Sequence, residues 1–232
     1  MGFSPIKDKK VYEQIIDQIK ELIYDGQLTK GDKLPSERTL REQLKVSRAS
    51  IREAFSALEM IGLIESRHGE GTFVRDNTDN SLLKPLSLLF MLEDNMEKEL
   101  VELRKMIEIS GARFAAWRAN QEDIEEMGKY VRMLEENYRD PEVYKMADRE
   151  FHYILARSTG NALVYKLLNS ISEVMNIYLS KMTERIVKDE NKTAILVRQH
   201  RAIYEAIRNG DEQKAQQAME EHLSWAEDLL DL

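Results

Sequence analysis

The chain of 232 residues contains four histidines and no cysteine. One histidine closes the segment MADREFH, residues 146–152, which sets Asp148 and His152 four residues apart and so on one helical face. That pair borders the apolar line Tyr144, Ala147, Phe151, Ile154. His200 falls inside a second line, Leu196, His200, Ile203, Ile207, and His222 inside a third, Ala215, Met219, His222, Ala226. Three inward imidazoles and a carboxylate are the ligand types of a divalent Zn, Ni, Mn or Fe. An inward histidine is otherwise a satisfied core residue, and spacing leaves both readings open. Arg104 sits on the line Leu100, Arg104, Ile107, Gly111, Phe114, where a guanidinium requires an anion. That anion is either an internal partner, Glu108 or Asp148, or a bound carboxylate.

A second constellation lies nearer the N-terminus. Arg48 and Arg52 share a helical face opposite Ile51 and Phe55. Arginine pairs bidentately with the O6 and N7 of guanine. Ser47 and Ser50, at the start of the same helix, can approach phosphates. Arg38 opens the preceding helix, and His68 and Gly69 occupy a Gly-rich turn that can reach a minor groove. The chain is acidic overall, with a net charge of −8. Residues 1–76, however, hold 13 Lys+Arg and 13 Asp+Glu, leaving 21 and 29 for the remainder. A neutral segment can still carry a local basic face.

The elements that must position these residues follow from periodicity and punctuation. KKVYEQIIDQIKELIYDG reads as a helix stopping at Gly26, Ser36 caps a short helix, and Ser47 caps another. The two short helices meet in a tight turn near Leu44–Val46, the layout whose second helix enters a major groove. LIESRHGEGTFVRD reads as strand, Gly-rich turn, strand. The polar stretch 75–81 marks a boundary. Beyond it, helices are expected at about 82–92, 96–119, 121–138, 141–158, 161–183, 190–208 and 211–231, joined by short connections as in an antiparallel bundle. The expected fold is mainly α: an N-terminal winged helix-turn-helix (α+β) over 1–76, a linker over 77–82, and an all-α bundle over 83–232. No stretch approaches the roughly 18 apolar residues of a membrane span, and no signal peptide is visible. These absences lead to an expected cytoplasmic location. The lack of cysteine excludes disulfides and thiolate metal sites.

The segment LPSERTLREQLKVSRASIREAFSALEMIGLIESRHGEGTFV closely resembles the winged helix-turn-helix of the GntR family of bacterial transcription regulators, over roughly residues 9–75. The helical half resembles the FadR-type effector domain of that family, the FCD domain, over roughly 82–228. The resemblance implies that Arg38, Arg48 and Arg52 are the main DNA-contacting residues, with His68 and Gly69 in the wing. It implies a divalent metal held by Asp148, His152, His200 and His222, of which Zn, Ni and Mn are the candidates. It also implies that Arg104 grips an effector carboxylate beside that metal. Six-coordinate metal would keep two positions for water or the acid, whereas tetrahedral zinc would be closed. The expected function is a homodimeric, ligand-responsive regulator, with repression relieved by a small organic acid, acting on a short inverted repeat in double-stranded DNA. No nucleophile–base constellation supports a catalytic assignment. The alternatives are a metal-dependent enzyme and a metal sensor without an organic effector.

Overall fold

The computed structural model describes residues 9–76 and 96–229, apart from the side chains of 96, 97 and 176–187. The expected linker and the expected helix at about 82–92 lie outside the described residues. The chain divides into two compact units, 1–85 and 86–232.

The first unit comprises α1 (Val11–Tyr24), α2 (Glu37–Leu44), α3 (Arg48–Met60), β1 (Ile64–Arg67) and β2 (Gly71–Val74). Ile15 and Ile19 of α1, Ile51, Phe55 and Leu58 of α3, and Ile64 and Val74 of the hairpin bury one common core. The helix starts are fixed by the serines. Ser36 Oγ accepts from Thr39 N at 3.1 Å and Ser47 Oγ from Ser50 N at 3.1 Å, each satisfying an orphan amide of a first turn. Between α2 and α3 the chain reverses at Lys45, whose φ of 55° is left-handed. β1 and β2 pair antiparallel, Ile64 opposite Val74. Residues 31–34 bond along the other edge of β2, through Leu34 N to Thr72 O at 2.8 Å and Val74 N to Asp32 O at 2.8 Å. The wing is therefore tied down on both sides at its base.

The second unit comprises α4 (Met96–Arg118), α5 (Gln121–Asn137), α6 (Pro141–Ser158), α7 (Ala162–Val187), α8 (Glu190–Arg208) and α9 (Glu212–Leu229). Helix starts again follow from side-chain caps. Asn120 accepts from Asp123 N, Asp140 from Glu142 N and Val143 N, and Asp189 from Asn191 N and Lys192 N. These caps set the register that turns Phe151 and Leu155 of α6 inward against Ile203 and Ile207 of α8 and Met219 and Leu223 of α9, and Tyr144 and Ala147 against Leu134 of α5 and Leu196 and Val197 of α8. α4 and α9 lie side by side, tied at the surface by Lys105 Nζ to Glu227 Oε2 at 2.7 Å and Arg113 Nε to Glu212 Oε2 at 3.0 Å. The fold is thus a winged helix-turn-helix followed by a helical bundle, with nine helices among the described residues.

Candidate metal centre and DNA-reading helix

The bundle brings Asp148, His152, His200 and His222 together from α6, α8 and α9. One ligand atom from each lies within 4.8 Å of all the others. The imidazoles of His152, His200 and His222 are buried, at 1%, 0% and 3% exposure. Asp148 keeps 28% of its side chain exposed and forms the open edge of the cluster.

Hydrogen bonds at the far side of each ring fix its tautomer. His200 Nδ1–H donates to the carbonyl of Leu196 at 2.8 Å, and a carbonyl can only accept. His152 Nδ1–H donates to the carboxylate of Glu108, and His222 Nδ1–H to Gln199 Oε1 at 3.3 Å. Each Nε2 therefore carries a lone pair. Nε2 of His152 and of His200 is buried with no hydrogen-bond partner among the described residues. Asp148 Oδ1 stands 3.1 Å from His200 Nε2 and 4.0 Å from His152 Nε2, without the alignment of a hydrogen bond.

Burial pushes the imidazoles of His152 and His222 below their ordinary value, in His152 against the opposing pull of Glu108, so both are neutral near pH 7. Burial would raise the Asp148 carboxyl, but the positive charge of Arg104 opposes this, and the carboxyl lies below the usual carboxylate range. Three converging lone pairs and an ionised carboxylate form an electrostatically unfinished group. Ligand atoms no more than 4.8 Å apart can close around a cation with bonds of about 2.0–2.2 Å. The cluster thus fits a divalent metal.

Arg104 meets one of the anions expected from the sequence. Its Nε donates to Glu108, four residues on, and its terminal nitrogens have no partner among the described residues. Glu108 is fully buried and stands between Arg104 and His152. Burial would raise its carboxyl, and Arg104 and His152 more than reverse this. Sequence reasoning placed Glu108 only as a partner of Arg104. Its bond to His152 spans 44 residues and has no local signature.

In the first unit Arg48 and Arg52 project together from the start of α3, with side chains 62% and 67% exposed. Both face Glu37 of α2, at 3.6 and 3.2 Å. Arg38 is 78% exposed and paired loosely with Glu42 at 3.6 Å. Ser47 spends its hydroxyl on the cap, with Ser50 Oγ 2.9 Å away. His68 and Gly69 are exposed at the hairpin tip, where Gly69 has a φ of +76°.

Residues 11–74 match the family model described as bacterial regulatory proteins, gntR family, and residues 99–224 match the FCD domain. The chain belongs to the GntR family of bacterial regulators. It is 35% identical over 211 residues to the HTH-type transcriptional regulator LutR of Bacillus subtilis (strain 168), covering 90% of this chain and 96% of that one. It is 32% identical over 222 residues to the putative L-lactate dehydrogenase operon regulatory protein of Escherichia coli (strain K12), covering 94% and 85%. Among solved structures, Streptococcus agalactiae GntR superposes with a TM-score of 0.70 at 29% identity, over 94% of this chain and 99% of that one. This GntR-type chain is therefore a transcription regulator with an effector domain, and not an enzyme. No helix among its described residues is long and apolar enough to cross a membrane.

Proposed function

We propose that this regulator binds one divalent cation at Asp148, His152, His200 and His222, and a small organic acid beside it, and that the acid alters binding of a homodimer to a short inverted repeat. The observation that carries this reading is the set of ring tautomers. Every Nδ1–H of the three histidines is committed to an acceptor, which leaves Nε2 as the free ligand atom in each. A bound divalent ion would supply Lewis-acid attraction for a carboxylate. Arg104, with its terminal nitrogens unpartnered among the described residues, offers the acid a second point of attachment.

Regulators of this family bind DNA operators and usually act as dimers. Arg48 and Arg52 supply base contacts, Arg38, Ser47 and Ser50 backbone contacts, and His68 and Gly69 the wing contact, in a cytoplasmic protein whose repression the acid relieves. The acid can do this only by binding one arrangement of the protein more tightly than the other. Elemental analysis of the wild-type chain, His200→Ala and His68→Ala tests the metal, and operator-binding titrations with and without added acids test the response. One ion per wild-type chain, retained in His68→Ala and absent from His200→Ala, is expected. An exhaustively loaded wild type without an ion, or equal loss in both variants, refutes the assignment.

A further inference from the structure

The two arginines that open α3 share one carboxylate. Arg52 Nε–H donates to both oxygens of Glu37, at 3.2 Å each, and Arg48 Nε stands 3.6 Å from Glu37 Oε2. Glu37 is the first residue of α2, so it reaches across the helix-turn-helix to do this. It is also the least exposed of the three, with 32% of its side chain open against 62% for Arg48 and 67% for Arg52. An acid in the first turn of α2 suits the helix dipole, and Ser36 already caps that turn. The dipole requires only a nearby negative charge, however. It does not require that charge to meet the Nε of two residues on another helix.

The atoms engaged decide what remains for a ligand. A guanidinium has a side edge, Nε with one terminal nitrogen, and an end edge, the two terminal nitrogens; either can pair with guanine O6 and N7. Glu37 occupies Nε in Arg52 and crowds it in Arg48. The end edge of each is left without a hydrogen-bond partner among the described residues. Both planar forks are thereby given a direction before a duplex arrives, so less side-chain freedom is lost on binding. Charge points the same way. Sequence-independent affinity grows with the cationic charge set against phosphates. Two arginines with one glutamate present one net positive charge instead of two. Glu37 therefore weakens attraction to every duplex while pre-orienting donors that only the right bases satisfy.

We propose that Glu37 is a specificity-determining positioning residue of the DNA-reading unit, which lowers general attraction to phosphates and raises discrimination between base sequences by holding Arg48 and Arg52 end-on. This rests on the reading that both arginines contact base edges.

The test uses the full chain without added acid, a pool of random-sequence duplexes, and the duplex that wild type enriches from that pool. Glu37→Gln keeps the shape and an acceptor oxygen but removes the charge. Glu37→Asp keeps the charge but draws the carboxylate back by one methylene. Glu37→Gln should bind the unselected pool more tightly than wild type, with a plot of log K against log salt steeper by about one unit. Its ratio of enriched to unselected affinity should fall about three- to tenfold. Glu37→Asp should recover the wild-type salt slope and only part of the ratio. Made in an Arg52→Ala chain, Glu37→Gln should lose most of its effect on the ratio. An unchanged ratio in Glu37→Gln, whatever its melting temperature, overturns the inference and leaves Glu37 serving α2 alone. An unchanged salt slope overturns it too, as does an undiminished effect in the Arg52→Ala chain. Full recovery of the ratio in Glu37→Asp overturns the positioning role. If Arg48→Ala and Arg52→Ala keep the wild-type ratio, or wild type enriches no duplex, the base-reading assignment fails and the inference with it.

Discussion

Replacing Glu108 by Gln separates the two tasks this buried carboxylate performs. In the native chain Glu108 accepts from Arg104 and from His152 Nδ1–H at full burial. Gln keeps a carbonyl oxygen for one of them, but its amide must then turn an N–H2 group toward the other, and the negative charge is gone. Breaking a fully buried ion pair costs about 3–5 kcal/mol. Arg104 is 18% exposed and can recover some hydration, so a loss of about 2–3 kcal/mol in the ion-free chain is expected. For a unit of this size that lowers the melting temperature by roughly 6–12 °C. Loss of the group that orients a ligating histidine weakens metal binding about 10–100-fold, or about 1.4–2.7 kcal/mol. At saturating ion the stabilisation by metal falls by the same amount, so the gap between ion-loaded and ion-free melting temperatures narrows by roughly 5–10 °C. Chelator-competition titration gives the affinity, and paired melts give the gap. Arg104→Met combined with Glu108→Gln should recover the ion-free stability but not the metal affinity. Metal affinity within twofold of wild type, with an unchanged melting gap, would show that Glu108 serves only Arg104 and that the tautomer argument for His152 is wrong.

Three further outcomes are expected. Arg48→Ala and Arg52→Ala should each weaken operator binding by about 1–3 kcal/mol in anisotropy titrations, since exposed pairs with Glu37 hold them only weakly beforehand; unchanged sequence-specific affinity in both would remove them from the interface. Gly128→Ala should destabilise the bundle by about 1–2 kcal/mol in a urea titration: an added Cβ would stand 2.7 Å from Tyr204 Oη and 3.0 Å from its Cζ, and this overpacking exceeds the propensity gain of about 1 kcal/mol. A stabilised variant would contradict the packing of α5 on α8. Lys45→Gly should stabilise the first unit by about 0.5–1 kcal/mol by relieving a left-handed side-chain-bearing residue, and a lowered urea midpoint would contradict that account.

The sequence exposes some parts of this architecture and hides others for physical reasons. The helix-turn-helix is legible because Ser36 and Ser47 cap its helices and Ile51, Phe55 and Leu58 keep a 3.6-residue period. The left-handed turn residue is not, because Lys45 lacks the usual glycine or asparagine mark. The candidate metal cluster is legible because histidine is scarce here, two of the four lie on apolar lines and a third borders one beside Asp148. The hydrogen bonds of Glu108 and Gln199 to two of those rings depend on how α4 meets α6 and how α8 meets α9, which no local pattern encodes. Tyr144 reads as an ordinary core aromatic, since the lack of a partner for its hydroxyl among the described residues is visible only once its neighbours are placed.

The histidine that α9 contributes also sets a clock. The core and hairpin of the first unit are complete by Val74, whereas the last ligand of the cluster is His222. The chain between them is 148 residues long, about 7–30 s of synthesis at roughly 5–20 residues per second. Throughout that interval a nascent chain can own a complete winged helix-turn-helix while the histidine cluster of the bundle does not yet exist. Metal captured by α6 alone, through Asp148 and His152, would be a weak and provisional hold that matures only when α8 and α9 arrive. The order of translation therefore places address before instruction: the winged helix-turn-helix is complete long before the proposed ligand site can assemble.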